Sequence, residues 1–171
     1  MSVRNERSFG GFIIVLLNLT IPCRGEYHLH HLLLDFNGTQ AFNGVLLEGI
    51  LERLSAISNL LHVYVITSDT FGSVGEQMAD LPVTIKRLSS SDHKQEKADF
   101  VESLGAESVI AIGNGSNDAA MLHAAAIGIA VIQQEGTSAA TIQSADMVFT
   151  RITDALGGIL NPQRMIATLR E

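Results

Sequence analysis

From Tyr27 onward, short apolar runs alternate with stretches whose apolar residues recur at helical spacing, the pattern of βαβ units on a parallel sheet. Leu29 to Phe36 (LHHLLLDF) reads as a buried strand. Between Leu47 and Leu61, the residues Leu47, Ile50, Leu51, Leu54, Ile57 and Leu61 recur with a helical period and leave the opposite face polar. His62 to Ile66 (HVYVI) is a second strand, a short helix follows near Ser73 to Asp80, and Val83 to Leu88 is a third strand. Ser89 to Asp92 supply capping side chains for a helix to Leu104, with Phe100, Val101 and Leu104 as its buried stripe and Gly105 as its stop. Ser108 to Ile112 predicts a fourth strand, Ser116 to Ala126 an alanine-rich helix and Gly128 to Ile132 a fifth strand. Thr137 to Ser144 reads as another short helix and Asp146 to Phe149 as a sixth strand. The tail predicts two helices, Ile152 to Leu160 and Pro162 to Arg170, with Pro162 in a helical first turn.

No repeat, low-complexity tract or linker interrupts this series, so residues 1–171 are expected to form a single domain, with 1–26 as an N-terminal extension that adds a strand. Within the extension, Arg4 and Arg7 precede an apolar run from Phe9 to Ile21 that has the look of a signal peptide. The run is too short to span a bilayer as a helix, and Pro22 stands before Cys23 where a lipoprotein cleavage site expects a small residue. A buried strand around Ile13 to Leu17, ended by Pro22 and Gly25, is the better reading.

Composition narrows the class. With 46% hydrophobic and 17% charged residues and 3 prolines, the chain is expected to fold rather than stay disordered. Eleven Lys plus Arg against eighteen Asp plus Glu give a net charge of −7, a poor inventory for a phosphate-backbone footprint, so nucleic acid is not an expected partner. Cys23 is the single cysteine, which excludes an internal disulfide and points to a reducing, cytoplasmic setting.

In an open parallel sheet, ligands bind outside the carboxyl ends of the strands, so polar residues there carry most information. The first strand ends in Asp35-Phe36-Asn37-Gly38-Thr39, the second in Thr67-Ser68-Asp69, and the fourth in Gly113-Asn114-Gly115-Ser116-Asn117-Asp118, while Lys97 lies on the helix leading into the fourth. A carboxylate, a hydroxyl, an ammonium and a second acid converging on one rim suit phosphoryl transfer to an aspartate with Mg²⁺ offsetting the charge. Asp35 is placed to attack phosphorus and to ligate Mg²⁺ through its other oxygen, and Asp118 is the remaining acidic candidate for the metal. Gly38 permits a sharp turn and offers amide donors, and it joins Thr67, Ser68 and Lys97 as the expected phosphate-binding set.

This ordered series resembles the four motifs of the haloacid dehalogenase superfamily, and in particular the phosphorylation domain of P-type ATPases, whose motifs read DKTGT, TGD, K and GDGxND. The continuation from Asp118-Ala119-Ala120-Met121-Leu122 to Ala126-Ile127-Gly128-Ile129-Ala130-Val131 is similar to the ATPase stretch GDGVNDAPAL…AxIGIAM, so the resemblance covers about Leu29 to Met147. It implies a three-layer, Rossmann-like α/β fold with a parallel sheet of about five to six strands, helices on both faces and a Mg²⁺-dependent aspartyl-phosphate intermediate. By matched position, Asp35 is the nucleophile, Thr67 and Lys97 hold the phosphoryl group, and the Asn37 main-chain carbonyl, Asn114 and Asp118 join Asp35 around Mg²⁺. Ion transport is not implied, because no membrane span is present in the sequence pattern.

Two departures set the expected activity. Phosphatases of the superfamily place an acid–base aspartate where this chain has Asn37, and an amide cannot shuttle a proton. Asn114 stands where the family has a metal-binding aspartate, so the site loses one negative charge. The gaps between Asp35 and Thr67 and between Thr67 and Lys97 are too short for the inserted cap domain that usually selects the substrate, and an uncapped site invites a homo-oligomer in which a neighbour acts as lid. The expected function is a slow Mg²⁺-dependent phosphohydrolase or phosphotransferase of a small phosphorylated substrate. The alternative is a module of the same fold that binds phosphate, metal or a partner with little turnover. His28, His30 and His31 read as partly exposed strand-start residues before they read as a metal site, and Asp69 reads as support for the Thr67 loop.

Overall fold

The structure is a computed structural model that describes residues 8–9, 12–13, 16–68 and 73–171. Six strands form one sheet: β5 (His31–Asp35), β8 (His62–Thr67), β9 (Val83–Arg87), β10 (Val109–Gly113), β11 (Ile127–Val131) and β12 (Met147–Phe149). Their order is β12-β11-β10-β5-β8-β9, and every neighbouring pair is parallel. The chain starts in the middle at β5, builds outward through β8 to β9, then crosses back to β10 and builds the other way. The order therefore reverses between β5 and β10, the position where open α/β sheets form their ligand crevice.

Alternation along the strands sends residues to two different layers. Leu32, Leu34, Val63, Val65, Ile110, Ile112, Ile127 and Ile129 face one way, into a core completed by α1 (Ile50–Ile57), α2 (Ser73–Gln77), α6 (Ile152–Leu160) and α7 (Pro162–Leu169). Leu33, Ile66, Val109, Ala111 and Ala130 face the other way and meet Val101 of α3 (His93–Ser103) and Met121 and Leu122 of α4 (Ala119–Ala124), with α5 (Ala139–Gln143) packed beside α4. This is the expected three-layer α/β fold with helices on both faces, and among the described residues no cap domain interrupts it.

Three local expectations are corrected. The run Leu29 to Phe36 is not one strand. Its first part closes an antiparallel hairpin of β3 (Leu17–Ile21) with β4 (Gly25–Leu29), and its second part is β5. The strand expected around Ile13 to Leu17 begins instead at Leu17, and it pairs with β4 rather than with the main sheet; β1 (Ser8–Phe9) and β2 (Phe12–Ile13) pair with each other, and 14–15 lie outside the described residues. The helix expected from Ser116 opens as a single 3₁₀ turn, Ser116–Asp118, before α4 begins.

A further hairpin, β6 (Ala41–Phe42) with β7 (Val45–Leu46), follows the first strand. Its turn residues Asn43 and Gly44 have φ of 51° and 77°, the two left-handed positions that suit a tight hairpin turn. Gln77 of α2 holds this hairpin by accepting from the Leu46 amide at 2.9 Å and donating to the Gly44 carbonyl at 3.0 Å. No helix among the described residues is long and apolar enough to cross a membrane.

The loop before α3 is fastened by a carboxylate. Asp92 caps the helix by accepting from the Gln95 amide at 3.1 Å, and Glu96 accepts from the Ser89 and Ser90 amides at 2.9 Å each. Those amides hold the Glu96 carboxyl down at a pKa of about 2. A carboxyl depressed in the folded state adds stability above its unfolded pKa, and that stability disappears as pH falls from the ordinary glutamate range toward 2. We therefore expect Glu96→Gln to flatten the fall in urea-unfolding stability between pH 4.5 and 2.5, and an unchanged profile would show that Glu96 does not tether the loop.

Candidate active site

The site is assembled at the carboxyl rim of the sheet. Asp35 ends β5, Thr67 ends β8, Asn114 follows β10, and α3 delivers Lys97 from the layer beneath. Parallel pairing puts Asp35 level with Ile66 and Leu34 level with Ile112, so all three strand ends finish at one height. A cleft of about 210 Å³ opens there, lined by Asp35, Asn37, Thr67, Ser68, Lys97, Asn114 and Glu135 among others.

Below the cleft, the Lys97 ammonium lies between two carboxylates, 2.6 Å from Asp35 Oδ1 and 2.6 Å from Asp118 Oδ1. The Lys97 side chain is 1% exposed and that of Asp118 0%. Burial by itself lowers the Lys97 pKa, but the two carboxylates outweigh it and the net displacement is upward. Asp35 is pushed up to about 7, by burial first and by Asp118 next, with Lys97 and Thr39 opposing. Ionising both carboxyls around one ammonium would leave one negative charge unbalanced in a poorly solvated place, which is what raises Asp35.

Asp118 has both oxygens engaged. Oδ1 takes Lys97, and Oδ2 accepts from the Asn114 amide at 3.0 Å and the Gly115 amide at 2.9 Å. Thr39 is shared between two expected site residues, donating at 3.3 Å to Asp35 Oδ2 and at 3.2 Å to Asn114 Oδ1. Gln40 donates to the Asp35 carbonyl at 2.9 Å, and Gln133 donates to the Thr39 carbonyl at 2.8 Å. The Asn114 amide group donates to the Gly136 carbonyl at 3.1 Å, while Thr137 and Ser138 close on the Asn114 carbonyl at 2.8 and 2.9 Å.

Of the expected residues, Asp35, Asn37, Thr67, Ser68, Lys97 and Asn114 line the cleft, and Asp118 lies behind Lys97. Asp69 lies outside the described residues. Gly38 differs from its expected role. Its amide is spent inside the turn on the Ala41 carbonyl at 2.9 Å, rather than offered to a phosphate. What Gly38 provides is room: its φ is +76°, and a Cβ there would come within 2.5 Å of the Asn114 side chain and 2.8 Å of Glu135 Oε2.

Thr39, Gln40, Gln133 and Glu135 went unassigned in the sequence. Thr39 ends the Asp35 motif and Gln40 follows it, but Glu135 belongs to a loop that only the fold returns to this rim. His30, His31 and His62 gather at the opposite, amino ends of the strands, where the His31 and His62 rings lie 5.7 Å apart, while His28 on β4 meets Asn18 at 2.6 Å. Burial first, then His62 and His30, lower the His31 pKa. Among the described residues no three His, Cys, Asp or Glu side chains are grouped as a metal site. The cleft offers the carboxylates of Asp35 and Glu135 and the amide oxygen of Asn114, with Asn37 beside them, hard oxygens of the kind that Mg²⁺ takes.

A family model described as haloacid dehalogenase-like hydrolase matches residues 96–161. A Methanocaldococcus jannaschii protein, described only as uncharacterized, is 41% identical over 91 residues, which is 51% of this chain and 98% of that protein. Among solved structures, the 3-deoxy-D-manno-octulosonate 8-phosphate phosphatase of Moraxella catarrhalis, in complex with magnesium, phosphate and the sugar acid, superposes with a TM-score of 0.60 at 17% identity. That match covers 83% of this chain and 94% of the phosphatase. A zinc-transporting PIB-type ATPase in its E2.Pi state matches with a TM-score of 0.59 at 22% identity, over 72% of this chain and 20% of the ATPase. At these identities the structural matches establish a shared fold.

The charge triad gives a direct test. Lys97→Met leaves Asp35 and Asp118 facing each other without their cation, and we expect a loss of about 3–5 kcal/mol in urea unfolding at neutral pH. Adding Asp118→Asn to that variant should recover part of the loss. A single-variant effect below about 1 kcal/mol would show that the triad is not what holds this rim together.

Proposed function

Because the chain belongs to the same family as the Methanocaldococcus jannaschii protein and has the haloacid dehalogenase-like hydrolase fold, we propose that it is a Mg²⁺-dependent phosphohydrolase or phosphotransferase working through a phosphorylated Asp35. The observation that carries this reading is the state of Asp35. One oxygen is fixed by Lys97 at 2.6 Å, while the other takes only a long contact from Thr39 at 3.3 Å among the described residues and lines an open cleft.

In the first step, Asp35 Oδ2 bonds to phosphorus, the ester P–O bond breaks, and its electron pair leaves with the alcohol oxygen, which takes a proton from water. In the second, a water oxygen bonds to phosphorus, the bond to Asp35 breaks, a proton is lost to solvent, and inorganic phosphate departs with the carboxylate restored. Lys97 and the Thr67 hydroxyl steady the phosphoryl oxygens, and Ser68 borders the same space. Mg²⁺, held by the Asp35 side chain, the Asn37 carbonyl and the Asn114 side-chain oxygen, would supply positive charge to the phosphoryl oxygens. Asp118 acts from behind, setting the position of Lys97 and of the two amides that follow β10.

Asn37 lines the cleft where the superfamily's phosphatases carry their acid–base aspartate, so neither proton transfer is assisted from that position. The same gap characterises the P-type ATPase motif, and it supports a long-lived phosphoenzyme. It also supports the second reading, a module that binds a phosphoryl group in the presence of a divalent cation and rarely turns over.

We expect slow Mg²⁺-dependent hydrolysis of an aryl phosphate that Asp35→Asn abolishes, and an increase of about 10²-fold in Asn37→Asp. Silence in both the wild type and Asn37→Asp, with Mg²⁺-dependent binding of a phosphate mimic, would favour the binding module. An Asp35→Asn variant as active as the wild type would overturn both.

A further inference from the structure

A second cleft of about 540 Å³ lies beside the first, and Glu135 lines both. The chain also passes from one to the other within a single peptide link, since Asn37 borders the smaller cleft and Gly38 the larger. The sizes divide the labour. The smaller space of 210 Å³ falls below the roughly 300–1,000 Å³ of small-molecule sites, while the larger lies well within it. A phosphoester whose phosphorus sits against Asp35 and whose alcohol portion runs outward past Gly38 and Glu135 meets the larger cleft.

The lining of that cleft has a definite chemistry. Its apolar wall comes from Ala41, Leu47 and the buried Ile152, enough for a carbon skeleton to lie against. Its polar wall offers the Thr150 and Thr153 hydroxyls and the Gln134 amide. Its charges are Glu48 and Glu135 against the single cation Arg151, a balance of 1 − 2 = −1. Carboxylates accept from hydroxyl and ammonium groups and repel other anions, and specificity is set as much by such repulsion as by attraction.

We infer that this cleft receives the alcohol portion of the substrate and selects a hydroxyl-rich one that is neutral or cationic, with Glu48 excluding leaving groups that carry a second anion. The inference rests on the phosphohydrolase reading above and adds the substrate class to it.

The test uses the full chain with Mg²⁺ and two matched probes, a terminal hexitol phosphate and the corresponding hexonate phosphate, which differ only by a carboxylate at the end remote from phosphorus. The wild type should prefer the hexitol ester by about fivefold in kcat/KM, the scale of one exposed charge contact, with the difference residing in KM. Glu48→Lys should remove or reverse that preference, and Glu48→Gln should fall between. Binding of both probes to Asp35→Asn, measured by calorimetry, should show the same order without turnover. Equal or tighter binding of the hexonate ester by Asp35→Asn, or a preference that Glu48→Lys leaves unchanged, would overturn the inference. Absence of turnover with either probe in the wild type, together with the expected binding order, would instead count against the phosphohydrolase reading alone.

Discussion

One buried ammonium holds two carboxylates that would otherwise repel each other, and the rim of the sheet is arranged around that contact. Lys97 is almost fully enclosed, as is Asp118, and each of its two ion pairs is 2.6 Å long. Buried ion pairs cost desolvation and rarely exceed what well-packed apolar residues would give in stability. The arrangement makes sense as chemistry: it places a carboxyl that is costly to ionise beside an open cleft, at the place where strand order reverses.

The fold delivers the members of this triad from three distant parts of the chain. Asp35 arrives on the central strand, Asp118 on the 3₁₀ turn that opens α4, and Lys97 on α3, the helix packed beside α4 in the same layer. Because all six strands run the same way, their polar ends collect on one side, where Asp118 is tied to the Asn114 and Gly115 amides that follow β10. Thr39 carries that coupling further, since the same hydroxyl touches Asp35 and Asn114.

Most of this was legible in the sequence because strand ends announce themselves: an apolar run that stops at Asp35, at Thr67 or at Gly113 leaves its polar residue at the rim. The break inside Leu29 to Phe36 was not legible, since no turn-forming residue marks it and only pairing with Leu17 stops the first segment at Leu29. The hairpin at Asn43-Gly44 carried a turn signal, but its strands are two residues each, too short for alternation to show. Glu135 had no local signature at all. Its place at the mouth of both clefts follows from where the loop after β11 returns, which is a property of the whole sheet. The single-residue reading of Gly38 as an amide donor failed for a related reason: the turn consumes its own N–H.

Glu96 and Lys97 are neighbours on α3 with opposite charges and opposite destinations, one fastening an exposed loop and the other entering the core. A helix that slid by one residue would rotate its side chains by about 100°, carrying the glutamate toward Asp35 and Asp118 and the lysine away. Three carboxylates would then share a space built for two and an ammonium. The identities at 96 and 97 thus tie α3 to a single register, since only one setting of the helix places an ammonium between Asp35 and Asp118.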